Sequence, residues 1–447
     1  MAASAILTGL SPRTSASNDT IFAMKPAAFL LAILLLATPV LSQTPATNNP
    51  VTVPITLDHN RIIIDVHLPL PGGGDKRVRG WVDSGNPELW VSERVAKLMG
   101  LQMTGEAKES MGAKVQKAQA PPAIIVGGMT VSLAGVKEAS VEIGREGIGP
   151  GLSAEINLPS SVLRSYDVLV DYPNREFTIG PKGSVHFQGK PGKLLLNSEN
   201  GLIHVASKID GKEYTFGLDV GAPIGFVSTE FLAQLRQAHP QWPHMTGAVG
   251  IANLWGLEDE PKWELSRLPS LQFGSIELTQ IIVAGFPDAA IKWLQQRAGI
   301  PIAGLMGANA FLDYQVGLDY AHGMVYFNRT STFVAPDMDV IGLVLRPEND
   351  GRYRIIGVAD YEGKPSVPEV RSGDVLISVD GIRATGGTMG QVWSSLEGSP
   401  GQSRSLTIER DGKQFTVTAM VRRFLASETG KPNPPKSKST SHPSPKN

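Results

Sequence analysis

Between residues 51 and 424 the chain is a succession of short apolar–polar alternations broken by glycine, proline and aspartate, which predicts many short strands rather than long helices. One alternation, residues 61–70, leads through a Gly/Asp turn into Val78-Arg79-Gly80-Trp81-Val82-Asp83-Ser84-Gly85 and then into a helix-like stretch at 92–99. The same order returns later. Residues 202–209 and the turn Asp210-Gly211-Lys212 lead into Tyr214-Thr215-Phe216-Gly217-Leu218-Asp219-Val220-Gly221, followed by 226–235. Each copy predicts a strand, a hairpin, a second strand ending in Asp-x-Gly, a loop, and a short helix opened by a serine with an acidic residue close behind. Downstream, the glycine-turn hairpins at 124–131 and 271–278 correspond, as do 163–172 and 311–320. A framework repeated over that length predicts two duplicated β-rich lobes, at 51–190 and 191–332.

Composition narrows the chemistry. The 447 residues are 41% hydrophobic and 19% charged, which suits a folded chain of several domains, and a net charge of -1 gives no basic field for nucleic acid. Cysteine is absent, which excludes disulfides, thiol catalysis and Cys-containing zinc sites. The eight histidines never take the paired helical spacing of a metallopeptidase, and no G-x-S-x-G elbow occurs. No metal or organic cofactor is implied.

Ahead of the repeats, residues 1–42 read as an export region. Met24-Lys25-Pro26 and the apolar run 27–41 have signal-peptide form, with cleavage expected near Gln43. The run is short for a membrane span, so no stable transmembrane anchor is expected; an uncleaved anchor is the alternative. The expected location is the periplasm or the extracellular space of a bacterium.

Asp83-Ser84-Gly85 and Asp219-Val220-Gly221 at the ends of apolar strands, a short helix after each, and the late Gly304-Leu305-Met306-Gly307 before Phe311-Leu312 resemble retropepsin-like and pepsin-like aspartic proteases over residues 51–330. The resemblance implies a mainly β, bilobal fold with Asp83 and Asp219 as the catalytic pair. It also implies support from Ser84, Gly85, Gly221 and Gly307, with the Ser84 hydroxyl joining the lobes beneath the pair. Polypeptide substrate would lie extended under hairpins near 102–120 and 243–258. Two carboxylates held together cannot both ionise, so one can act as base on a water while the other polarises a carbonyl. Two positions depart from the family. Val220 stands where a hydroxyl residue is usual, and Pro159 stands where the first lobe should carry the partner of Gly307. Asp171 and Asp319, each followed by a tyrosine and a turn, read as turn residues.

From Val340 the pattern changes to short strands, an Arg371-Ser372-Gly373-Asp374 turn, the strand-and-turn 375–381 and a helix near residues 389–396. This resembles a bacterial PDZ domain over 336–424. The resemblance implies capture of peptide C-termini by the Ile341-Gly342-Leu343 loop, with the helix as the opposite wall. Gly386-Gly387 reads as a turn, since no lysine follows it. Residues 425–447, ending in a stretch rich in proline and lysine, read as a solvated tail. The sequence therefore predicts an exported aspartic-type endopeptidase with a PDZ module for polypeptide binding or regulation. The alternative is a non-catalytic, peptide-binding envelope protein with a degenerate protease fold.

Overall fold

The computed structural model describes residues 49–110, 113–332 and 338–426. The expected export region, and the tail beyond residue 426, lie outside the described residues. Among the described residues, no helix is long and apolar enough to cross a membrane.

The fold is mainly β, and its plan follows the sequence repeat. In the first lobe, Arg61–Pro69 pairs antiparallel with Asp75–Asp83, and Asp75–Asp83 lies parallel to Ile156–Pro159. In the second, Ile203–Ile209 pairs antiparallel with Lys212–Leu218, which lies parallel to Gly304–Met306. Each aspartate thus stands at the end of a strand flanked on one side by a hairpin partner and on the other by a parallel neighbour. The helices Glu93–Met99 and Thr229–Ala238 follow as expected. Ser92 accepts the Val95 N–H at 3.2 Å and Ser228 the Phe231 N–H at 3.0 Å, with Glu93 and Glu230 in the first turns. Those side chains satisfy donors that a helix start otherwise leaves open.

A third, six-stranded sheet joins the lobes. Tyr166–Asp171 and Tyr314–Asp319, equivalent strands of the two copies, pair antiparallel with each other. Asp171 and Asp319 close turns at their ends, accepting the Asn174 N–H at 3.0 Å and the His322 N–H at 3.1 Å. The two lobes and this sheet share one apolar core, in which Val82, Val170, Leu218, Val220 and Phe311 are buried together.

The C-terminal module has a sheet in the order Leu343–Pro347, Tyr353–Val358, Val375–Val379, Ser403–Arg410, Lys413–Met420, with the helix Met389–Leu396. It does not keep a core to itself. Leu343, Leu345, Met389 and Trp393 pack in the same cluster as Ala248, Ala252 and Leu254 of the second lobe.

Tyr172 ties the joining sheet to the second lobe: its buried hydroxyl donates to the Val220 carbonyl at 2.6 Å. Its counterpart Tyr320 is also buried, with no hydrogen-bond partner for its hydroxyl among the described residues. Replacing Tyr172→Phe should lower the unfolding free energy by about 1–2 kcal/mol, read from urea denaturation. Tyr320→Phe should leave it nearly unchanged, and equal losses in the two variants would contradict this assignment.

Candidate active site

The Asp-x-Gly turns of the two lobes interlock. A Cβ on Gly85 would lie 2.4 Å from Asp219 Oδ2, and one on Gly221 would lie 1.9 Å from the Val82 carbonyl oxygen. Each glycine is therefore required by close approach to the other lobe's aspartyl strand, not by an unusual backbone angle. Gly307 is constrained in a related way, since a Cβ there would meet the Ile224 carbonyl oxygen at 2.5 Å. The contact brings Asp83 and Asp219 into the lining of one cavity of about 430 Å³. Both are almost fully buried, at 2% and 7% exposure.

Their surroundings differ. Asp219 Oδ1 accepts the Gly221 N–H at 2.8 Å, and the Ser84 hydroxyl lies 3.4 Å away. Burial raises the Asp219 pKa to about 6, against the opposing pull of the Gly221, Gly85 and Ala222 amides and the Ser84 hydroxyl. Asp83 is pushed well above the usual carboxylate range, first by burial and then by the charge of Asp219. Asn157, Asn86 and Arg297 only partly offset this. The pair shares a proton, and the N–H donors directed at Asp219 favour its charged form.

Ser84 also accepts the Val220 N–H at 3.0 Å, so one hydroxyl does join the lobes beneath the pair. No hydroxyl returns from Val220. In its place the first half of the chain reaches across with two longer side chains, Tyr172 to the Val220 carbonyl and Trp81 Nε1 to the Gly221 carbonyl at 3.0 Å. Pro159 lies in register with Asp83. In the second lobe Met306 is in register with Leu218, and its carbonyl accepts the Asp219 N–H at 3.0 Å, which places Gly307 at the matching position.

Three site residues went unread in the sequence. Asn157 is fully buried and donates to Asp83 Oδ2 and the Glu88 carbonyl, each at 3.0 Å, while accepting the Trp90 N–H at 2.7 Å. It occupies the place held by Leu305 in the other lobe, and a polar residue in an otherwise apolar strand, Ile156-Asn157-Leu158, was the available signal. Arg61 lines the cavity with its guanidinium 6.0 Å from the ring centres of both Trp81 and Trp255. It donates to the Leu254 carbonyl at 3.0 Å, and its Nε has no hydrogen-bond partner among the described residues. Arg297 stacks 4.0 Å from the Trp293 ring centre and pairs with Glu88. With Trp81, Trp90, Trp255, Trp293, Phe226 and Phe286 in its lining, the cavity suits an apolar or aromatic side chain beside the carboxylates.

The two expected cleft hairpins fare differently. Met103–Ser110 and Ala113–Gln119 form a hairpin, and Ala113 reaches the cavity lining. The segment expected as a hairpin at 243–258 is instead a short strand, His244–Thr246, followed by irregular turns that dock on the C-terminal module. The physical reason is Glu260, whose buried carboxylate accepts the N–H groups of Leu254 at 3.2 Å, Trp255 at 3.0 Å and Leu257 at 3.1 Å. A chain folded around one carboxylate cannot also run as a ladder. Trp255 and Leu257 still line the cavity.

Ile341, Gly342 and Leu343 lie in the module's core rather than at an open groove. The Ile341 N–H donates to the Leu396 carbonyl at 3.0 Å and the Leu343 N–H to the Ile341 carbonyl at 2.8 Å. Among the described residues, no group of three or more acidic or histidine side chains is placed to hold a metal ion.

No protein-family profile matches the chain. No curated protein matches it either. Among solved structures, the aspartic proteinase from Irpex lacteus is similar over 63% of this chain and 99% of its own, at 13% identity and a TM-score of 0.42.

Asn157→Leu, which makes the first lobe like the second, removes a donor from Asp83 Oδ2. The Asp83 carboxyl should then titrate at higher pH than in the native protein, followed by carbon-13 NMR of labelled aspartate. A downward shift would show that Asn157 does not act on the ionised form.

Proposed function

We propose that the protein is an aspartic-type endopeptidase that hydrolyses polypeptides with a water activated between Asp83 and Asp219, and that its C-terminal module binds polypeptide or regulates access to that pair. The observation that carries this reading is the interlock of the two Asp-x-Gly turns, which puts two differently solvated carboxylates into one apolar cavity. Asp219, the better-stabilised anion, takes a proton from the water as it attacks the scissile carbonyl. Asp83, protonated, donates a hydrogen bond to the carbonyl oxygen as negative charge develops there. The proton taken up is then available to the departing amine, so the pair returns to one shared proton. Neither step requires a metal. Val220 favours no second reading, because Tyr172 and Trp81 make interlobe bonds of their own, to the Val220 and Gly221 carbonyls. Export of the mature chain from near Gln43 belongs to the same proposal.

Either Asp83→Asn or Asp219→Asn should lower kcat/KM on an unfolded protein such as reduced casein by ~10²–10⁴-fold. Activity surviving in either variant at the native level would refute the dyad. The substitutions should have the opposite effect on stability. Both carboxyls have raised folded pKa values, so the folded state binds more protons than the unfolded chain. Stability is then full below the unfolded carboxylate pKa and is lost as pH rises toward and past the folded value, about 6 for Asp219. The double Asn variant, which has no charge to bury, should melt above the native protein at pH 7, with the gap closing by pH 4. A gap that widens on acidification would contradict the assignment.

A further inference from the structure

Three arginines line the cavity that holds Asp83 and Asp219, and two of them already have carboxylate partners. Arg145 Nη1 donates to Glu142 at 2.6 Å, and Arg297 is paired with Glu88. Arg61 is different. It is buried, at 2% exposure, and among the described residues its guanidinium makes no ion pair. Nη2 donates to the Leu254 carbonyl at 3.0 Å, while Nε is buried without a hydrogen-bond partner among those residues. The guanidinium lies 6.0 Å from the ring centres of Trp81 and Trp255, both of which line the same cavity.

The charge of Arg61 survives its burial. Desolvation lowers its pKa only to about 10, against the pull of the charges on Asp58, Glu260, Asp83 and Asp219, so the group is a cation at neutral pH. Two of those carboxylates are held by other donors. Asp58 accepts the Thr388 hydroxyl at 2.8 Å and the Gly390 N–H at 2.9 Å, and Glu260 accepts the amides of Leu254, Trp255 and Leu257. One bond to a backbone carbonyl needs a donor, not a permanent cation with five N–H groups. A buried guanidinium without a counter-ion is costly, and its planar fork matches a carboxylate.

We propose that Arg61 is a substrate-binding residue that anchors a carboxylate of the polypeptide in the cavity beside Asp83 and Asp219, whether that carboxylate is an aspartate or glutamate side chain or a free C-terminus. The neighbouring apolar lining takes the residue next to it. The consequence for cleavage rests on the peptidase reading; the anchor itself does not.

Binding is measured on the mature full-length chain carrying Asp219→Asn, so that peptides are not consumed. The probes are hexapeptide amides of alanine, serine and one phenylalanine, with glutamate or glutamine placed at each position in turn. A second set has no acidic side chain and ends in an amide or a free acid. Tryptophan fluorescence reports binding, since Trp81 and Trp255 flank the guanidinium. At one position glutamate should bind about tenfold more tightly than glutamine; a gain confined to the free acid would identify the C-terminus as the source instead. Arg61→Gln should abolish the preference, and Arg61→Lys should keep part of it. Were Arg61 only a support for the Leu254 carbonyl, Arg61→Gln would weaken glutamate and glutamine peptides alike. No preference for glutamate at any position and none for the free acid overturns the proposal, a comparison that needs no Arg61 variant to fold. With both aspartates present, cuts in reduced casein should fall at a fixed distance from an acidic residue or from the C-terminus. Cleavage without either pattern overturns the anchor and leaves the peptidase reading standing, whereas the binding preference in a chain that cleaves nothing refutes the peptidase reading and leaves the anchor.

Discussion

Two carboxylates remain close together inside a protein only when the surrounding backbone supplies donors to the charged one and leaves room for both. The crossing of Gly85 against Asp219 and of Gly221 against Val82 does both at once. It removes the β-carbons that would separate the lobes, and it directs amide hydrogens at Asp219 rather than at Asp83. Much else is arranged around that crossing. The parallel strands Ile156–Pro159 and Gly304–Met306 support the two aspartyl strands from behind, and the joining sheet fixes the two halves in one orientation. A buried charge shared by two acids is intrinsically destabilising, so the rest of the fold must tolerate a locally unfavourable centre.

The duplicated framework is followed closely up to the crossing and then abandoned. Asn157 faces Asp83 where Leu305 occupies the other lobe, Ser84 reaches across where Val220 does not, and Tyr172 is bonded where Tyr320 is not. These differences give the two carboxylates unlike surroundings: the Ser84 hydroxyl and backbone amides favour the Asp219 anion, while Asn157 donates to Asp83.

Much of this was readable along the chain because its signals are local. Alternation, Asp-Gly turns and a serine before an acidic residue specify strands, hairpins and helix starts within a few residues of where they act. Asp83, Asp219, Gly85 and Gly221 were legible for the same reason, being carried in short repeated strings. Asn157 was not, since its role depends on a strand pairing that connects residues far apart in sequence. The segment at 243–258 misled for a related reason. Its local pattern permitted a hairpin, but one carboxylate, Glu260, offered its backbone better partners, and one distant strand, Leu343–Pro347, engaged the Asn253 side chain. Long-range competition for hydrogen bonds has no local trace.

The apolar cluster shared by the C-terminal module and the second lobe bears on how the chain comes apart. A composition change near residue 336 invites the view of a detachable module on a linker. Ala248, Ala252 and Leu254 bury their side chains among Leu343, Leu345 and Trp393, however, so neither partner has a complete interior without the other. Denaturation should then proceed with the module and the second lobe as one cooperative unit, not separately from each other. A proteolytic cut between them would leave two fragments that remain associated. The chain's modular history, read from its repeats, is no guide to its units of unfolding.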